Sequence, residues 1–207
     1  MNIAVNFHGK EECHEAIMAV EPRLMKHYQN ETYGPHRSDI CRLVQLYLKG
    51  GYYIDNDTKV IKPFTLSPNI TFATVMGYSK QHFAQGIIFT TRKHPVIQLA
   101  IQLTLQHYEE GIHARPELDY SQDTGTKILF DAYYQIQNTI DHDLDTKSIL
   151  LEEVILKKHP QLYKTTTVAL QNIKMKSNIN FCTAAFISKE PKNEVLMLAR
   201  APGTSYC

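Results

Sequence analysis

Asp55 and Asp57 flank a single residue, and Asp39 and Arg42 lie a short way upstream. Two carboxylates so close repel one another unless a cation sits between or beside them. Side chains alternate along a strand, so Asp55 and Asp57 would point the same way, about 7 Å apart, with Asn56 pointing opposite. That geometry suits an oxygen-seeking divalent ion, Mg²⁺ or Mn²⁺. Asp39 and Arg42 are three apart, so on a helix they share a face and can meet the same ligand.

The residues around these groups say how they are positioned. Ser38 is a good N-cap, and Asp39 suits the positive end of the helix it opens. Ile40, Leu43, Val44 and Tyr47 recur at helical spacing, which predicts one buried face. Gly50 suits a left-handed helix end, and Gly51 frees the backbone for a reversal. Tyr52, Tyr53 and Ile54 are strand formers. The expectation is a capped helix, a glycine turn and a strand that delivers both carboxylates. An Asp-x-Asp pair alone says little: Asp141-His142-Asp143-Leu144-Asp145 holds two more, which read as a solvated turn and helix cap. What separates the first pair is the extended pattern Ser-Asp-x2-Arg-x7-Gly-Gly-x-Tyr-x-Asp-x-Asp over residues 38–57.

Strands and helices alternate along the rest of the chain. Residues 2–7 read as a strand, and 12–28 as a helix that Pro22 kinks or splits. Residues 59–64 extend the motif strand until Pro63. Residues 70–77 and 87–91 are β-rich, and Pro95 opens an apolar-periodic helix to His107. Further helices are expected over 126–139 and from an Asp145 or Thr146 cap to just before Pro160, then strands over 165–169 and 181–187. This alternation predicts an α/β fold with a mainly parallel sheet.

Composition bounds the function. With 22 basic and 21 acidic residues spread along 207 positions, the chain lacks the basic footprint of nucleic-acid binding. No apolar run reaches the roughly 20 residues of a membrane span, and no signal-peptide pattern opens the sequence, so a cytoplasmic location is expected. Cys13, Cys41, Cys182 and Cys207 show no C-x-x-C spacing, which argues against a zinc knuckle or a disulfide framework and makes Cys41 a small packing residue.

The pattern over residues 38–57 resembles glycosyltransferase family 32 and the related glucosyltransferase domains of large clostridial toxins. The resemblance is strongest from Arg37 to Phe64. It continues through Gly86-Ile87-Ile88-Phe89, Lys93-His94-Pro95 (a "gly-his-pro" element in such proteins) and Asp123-Thr124-Gly125, where Thr126 replaces a common proline. Residues 3–9 look like the family's first strand and nucleotide-facing loop. In size the chain is similar to small viral glycosyltransferase domains, which would place it in host cytoplasm, as a whole protein or one domain of a longer one.

The resemblance implies a single GT-A-like catalytic domain over residues 1–207, with a mixed, mainly parallel sheet flanked by helices. It implies a divalent-metal-dependent hexosyltransferase that uses a nucleoside-diphosphate sugar, a uridine diphosphate hexose, and a glycan or glycoprotein acceptor. Asp57 would ligate the metal, and Asp55 would bind it directly or through water. Asp39 and Arg42 would hydrogen-bond the donor sugar, with Tyr53 near the nucleotide or sugar. His8 and Lys10 are candidates for the nucleotide side, Lys10 reading equally well as a surface lysine. The family retains anomeric configuration; an inverting enzyme would need a general base, for which Asp123 and Asp119 are the candidates. No histidine follows His159, so a late metal ligand would fall to Thr204, Ser205 or water, and Arg200 could touch the diphosphate. Two other readings remain: a catalytically idle nucleotide-sugar-binding module, and a metal-dependent phosphoryl-transfer enzyme, which should carry more clustered carboxylates.

Overall fold

The structure, a computed structural model, describes residues 9–56, 58–60, 62, 66–111, 125–139, 143–159, 161–162, 183–188 and 194–200. The chain divides into two compact units, Met1–Tyr52 with Thr90–His142, and Tyr53–Phe89 with Asp143–Cys207.

The first unit carries five helices among its described residues: α1 (Lys10–Val20), α2 (Leu24–Asn30), α3 (Gly34–Lys49), α4 (Pro95–Glu109) and α5 (Gly125–Thr139). The Gly9 N–H at the start of α1 donates to Glu12 Oε2 at 2.9 Å, a carboxylate reaching back to an otherwise orphaned amide. The expected split at Pro22 occurs. Proline cannot donate to the helix ladder, so α1 stops at Val20 and α2 restarts at Leu24. Helix α3 starts earlier than its sequence suggests. Tyr33 is its N-cap, with Pro35 in the first turn, and Ser38 already lies inside the helix. The cap comes from upstream, where Glu31 Oε1 accepts the Tyr33 N–H at 2.8 Å. Ile40, Leu43, Val44 and Leu46 form the buried face of α3, which packs on α1 and α4.

Helix α3 ends at Gly50, whose φ of +66° lies where only glycine sits without strain. A Cβ there would also lie 2.7 Å from the Arg92 backbone nitrogen, so glycine is needed for close approach as well. The nearby Lys93 N–H donates to Tyr47 O at 2.8 Å and ties the start of α4 to the end of α3. Pro95 sits in the first turn of α4, and the buried His94 caps it by accepting the Val96 N–H at its Nδ1, 3.2 Å away.

One disulfide joins Cys13 of α1 to Cys41 of α3, with a Cα separation of 5.4 Å. The expectation of no disulfide and a merely packing Cys41 is therefore corrected. Spacing rules find clustered cysteines, whereas these two meet only because α1 and α3 pack together.

The second unit is built on β1 (Gly51–Ile54), β2 (Lys59–Val60), β3 (Phe72–Met76), β4 (Phe83–Thr90), β5 (Ser148–Ile155), β6 (Thr183–Ser188) and β7 (Glu194–Arg200). Its boundaries fall within β1 and at the end of β4. The strands form one sheet in the order β1-β4-β3-β5-β6-β7-β2. The fold is α/β with a mixed sheet, as expected, but the sheet is not mainly parallel where its pairing is described. β3–β5 runs parallel; β5–β6, β6–β7 and β7–β2 run antiparallel. The helix expected before Pro160 is instead β5, preceded by a short 3-10 turn at Leu144–Lys147. A strand paired on both sides need not alternate, so Ser-Ile-Leu-Leu-Glu-Glu-Val-Ile hides its period. The strand extension expected over 59–64 is a separate strand, β2, on the far edge of the sheet.

That placement of β2 forces curvature. β1 and β2 end the seven-strand order, which in a flat sheet separates them by about 29 Å, yet only residues 55–58 connect them. Such a connection spans at most about 18 Å. The sheet therefore curls. The inside of the curl is filled by Val75, Ile87, Leu151, Phe186, Leu196 and Met197 from β3 to β7. Gly86 of β4 leaves room for this packing: a Cβ there would lie 2.9 Å from the Phe186 ring. The strands expected over 2–7 and 165–169 lie outside the described residues.

Candidate active site

The first unit assembles one charged pair of the motif. Arg42 Nη2 lies 3.1 Å from Asp39 Oδ1 and 3.2 Å from Ser38 Oγ, with the arginine side chain 8% exposed and the aspartate 18%. The i,i+3 spacing on α3 puts the two groups on one face, as expected. Gly125, the first residue of α5, lies directly against the Asp39 carboxylate, and a Cβ on Gly125 would overlap it. The carboxylate thus sits between the Arg42 guanidinium and the first residue of α5. The sequence contains Thr124-Gly125 but no hint that it covers Asp39.

The second unit holds the other pair. Tyr53 and Asp55 are two residues apart along the chain, and the Tyr53 hydroxyl donates to Asp55 Oδ1 at 2.6 Å, the short distance typical of a phenol meeting a carboxylate. The Asp55 N–H donates to Gly86 O at 3.0 Å, which ties the end of β1 to β4. Asp55 is not on the strand, however. β1 ends at Ile54, and the Thr58 N–H donates to Asp55 O at 3.0 Å, closing a turn. The alternation argument for two parallel carboxylates does not hold there, because the chain must reverse towards β2.

The remaining candidates are placed less fully. Lys10 is exposed at the start of α1. Asp57, His8, Asp119, Asp123, Thr204 and Ser205 lie outside the described residues, as does the side chain of Arg200. His36 belongs to a hydrogen-bonded group that sequence reasoning missed. Glu31 Oε2 accepts the Tyr108 hydroxyl at 2.9 Å and lies 3.2 Å from His36 Nδ1. Burial would raise the Glu31 pKa, but the Tyr33 amide, the Tyr108 hydroxyl and His36 outweigh it and hold the pKa below the ordinary value. Burial, then Glu31 and the Asp39 charge, push the Tyr108 hydroxyl far above its usual value. Nothing in the sequence separates Glu31 and Tyr108, 77 residues apart, from surface residues.

Among the described residues no group of three or more His, Cys, Asp or Glu side chains converges on a point. The chemistry of the donor set still fits a hard cation: Asp55 offers carboxylate oxygen, with its orientation fixed by Tyr53. Among the described residues no helix is long and apolar enough to cross a membrane.

No curated protein sequence matches the chain. Among solved structures it is similar to one described as "PaToxG Glycosyltransferase", at 21% identity and a TM-score of 0.45, over 78% of this chain. The chain spans 50% of that structure's length. Residues 6–76 match the family model described as "Glycosyltransferase sugar-binding region containing DXD motif", which bears out the resemblance drawn from residues 38–57 and supports glycosyl transfer in general.

Proposed function

We propose that the chain is a divalent-metal-dependent glycosyltransferase. It moves a hexose from a nucleoside-diphosphate sugar, with uridine as the base, to a glycan or glycoprotein acceptor. Residues 1–207 act as one catalytic domain, in the cytoplasm. The observation that supports this reading best is the Asp55 carboxylate, held at 2.6 Å by Tyr53 two residues before Asp57, within the stretch similar to the DXD sugar-binding region.

Asp55 and Asp57 would hold Mg²⁺ or Mn²⁺, which when bound supplies Lewis-acid stabilisation of the departing diphosphate. The protein's own groups do the rest. Tyr53 fixes the Asp55 carboxylate in one orientation, so little reordering accompanies binding. Asp39, held by Arg42 and the start of α5, accepts hydrogen bonds from donor-sugar hydroxyls while Arg42 donates to them. His8 and Lys10 would contact the nucleotide, and Arg200 the diphosphate. Asp123, or Asp119, takes the proton from the acceptor hydroxyl if the configuration inverts.

Calorimetric titration with uridine and guanosine diphosphate sugars, with and without Mn²⁺, tests this reading. The expected result is Mn²⁺-dependent binding of a uridine diphosphate hexose that is lost in Asp57→Ala while the fold persists. Unchanged binding in that variant overturns the metal assignment. Binding with no hydrolysis or transfer leaves an idle sugar-nucleotide module.

A further inference from the structure

Within the first unit, the turn between α2 and α3 and the end of α4 enclose a pocket of about 410 Å³. That volume lies in the range of small-molecule sites. Its inner wall is the Glu31, His36 and Tyr108 group; Asn30, Thr32 and Tyr33 are its exposed residues.

The chemistry of these walls restricts the ligand. No lysine or arginine lines the pocket, so it holds no permanent cation to pair with a phosphate or carboxylate. The one carboxylate is already engaged by three donors: Tyr33 N–H at 2.8 Å on Oε1, with Tyr108 hydroxyl at 2.9 Å and His36 Nδ1 at 3.2 Å on Oε2. Its charge is satisfied within the wall, which disfavours a bare cation as ligand. The groups that remain are the Asn30 amide, the Thr32 hydroxyl and the His27 imidazole. His36 is 7% exposed and backs the pocket behind these groups. Tyr33 is 52% exposed and is held edge-on to the His36 ring at 4.7 Å. An anchored, exposed aromatic beside neutral hydrogen-bonding groups matches a pyranose, which has apolar C–H faces and a rim of hydroxyls.

We infer that this pocket is a subsite for a neutral saccharide unit of the acceptor, with Tyr33 as its stacking platform and Asn30 as a hydroxyl partner. The acceptor role, unlike saccharide binding itself, rests on the glycosyl-transfer reading.

The test is an NMR shift titration of the whole chain, without nucleotide or metal, using methyl glycosides of glucose, galactose, mannose and N-acetylglucosamine. Glucose 6-phosphate and methylammonium are the charged controls. One or more neutral glycosides should bind saturably, shifting residues 27–36 and Tyr108, and both controls should bind about tenfold more weakly. Tyr33→Ala and Asn30→Ala, exposed changes checked for intact folding by thermal melting, should each weaken binding by about fivefold, near 1 kcal/mol. No saturable glycoside binding, tighter binding of a charged control, or unchanged binding in both variants overturns the subsite. Asp57→Ala should retain glycoside binding while losing the donor, so failure of the donor reading would leave this result intact. A glycoside that binds yet fails to raise donor turnover overturns the acceptor role alone.

Discussion

Gly125 lies against Asp39 so closely that no side chain can be added between them. One residue opens α5 and the other belongs to the motif helix α3, so a backbone contact across 86 positions of sequence sets where the Asp39 carboxylate can sit. Gly125→Ala must displace either the carboxylate or the start of α5. We expect a loss of about 1–3 kcal/mol in stability, as for overpacked interiors. Donor affinity should fall as well, because the displaced group is the proposed sugar contact. Urea unfolding alongside calorimetric titration separates the two effects. A variant that is as stable and binds as well as wild type would mean the contact is slack.

The Cys13–Cys41 disulfide fixes α1 to the motif helix one position before Arg42. Its 28-residue separation gives a chain-entropy contribution of about 3.6 kcal/mol to stability. Cys13→Ser, or full reduction, should therefore lower the unfolding free energy by about 2–4 kcal/mol. The measurement is denaturation with and without dithiothreitol, with intact mass reporting the bond. Insensitivity of the wild-type midpoint to reductant would show that helix packing alone holds α1 to α3.

Where function left a local mark, the sequence was readable; where structure depends on distant partners, it was not. The helix–glycine–strand unit over residues 38–54 is written in neighbouring residues, so its elements could be read directly. The Pro22 split and the Pro95 start follow from one residue's chemistry. The cap of α3 could not be read as easily, because Ser38 is the better-known capping type while Glu31 and Pro35 set the boundary. β5 and β7 are rich in Leu, Met, Ala and Glu, which favour helices in isolation, and become strands only through pairing on the curled sheet. The Asp39–Arg42 pair was legible from spacing, whereas the Tyr53–Asp55 hydrogen bond was not read from the sequence. The Gly125 cover, the disulfide and the Glu31 group join residues far apart in sequence, where no periodicity operates.

Lys93 has a φ of +57°, in the left-handed region that favours glycine. A side chain in this left-handed region costs about 1 kcal/mol. The residue is exposed, so its side chain contributes little packing in return. Lys93→Gly should raise stability by up to about 1 kcal/mol, and Lys93→Val, with its branched Cβ, should lower it. Paired urea denaturations of the two variants check this, and a loss in Lys93→Gly would show that the lysine side chain stabilises the turn.

The Glu31 group contributes to the pH dependence of the first unit. Burial opposes ionisation of Glu31, yet its three donors win and its folded pKa lies below the unfolded value of 4.5. A depressed carboxylate stabilises the fold fully above its unfolded pKa, and that contribution disappears as pH falls through the folded pKa. Stability should therefore hold from neutral pH to about 5 and drop below 4.5. Glu31→Gln should cost about 1.5–3 kcal/mol at pH 7, the value of hydrogen bonds to a charged group, and should flatten the acid limb. Tyr108→Phe removes one of those donors, so it should weaken the fold less and leave a shallower acid limb than wild type. Urea midpoints for the three proteins between pH 3.5 and 7 decide the matter. An acid limb unchanged in Glu31→Gln would assign it to other carboxylates.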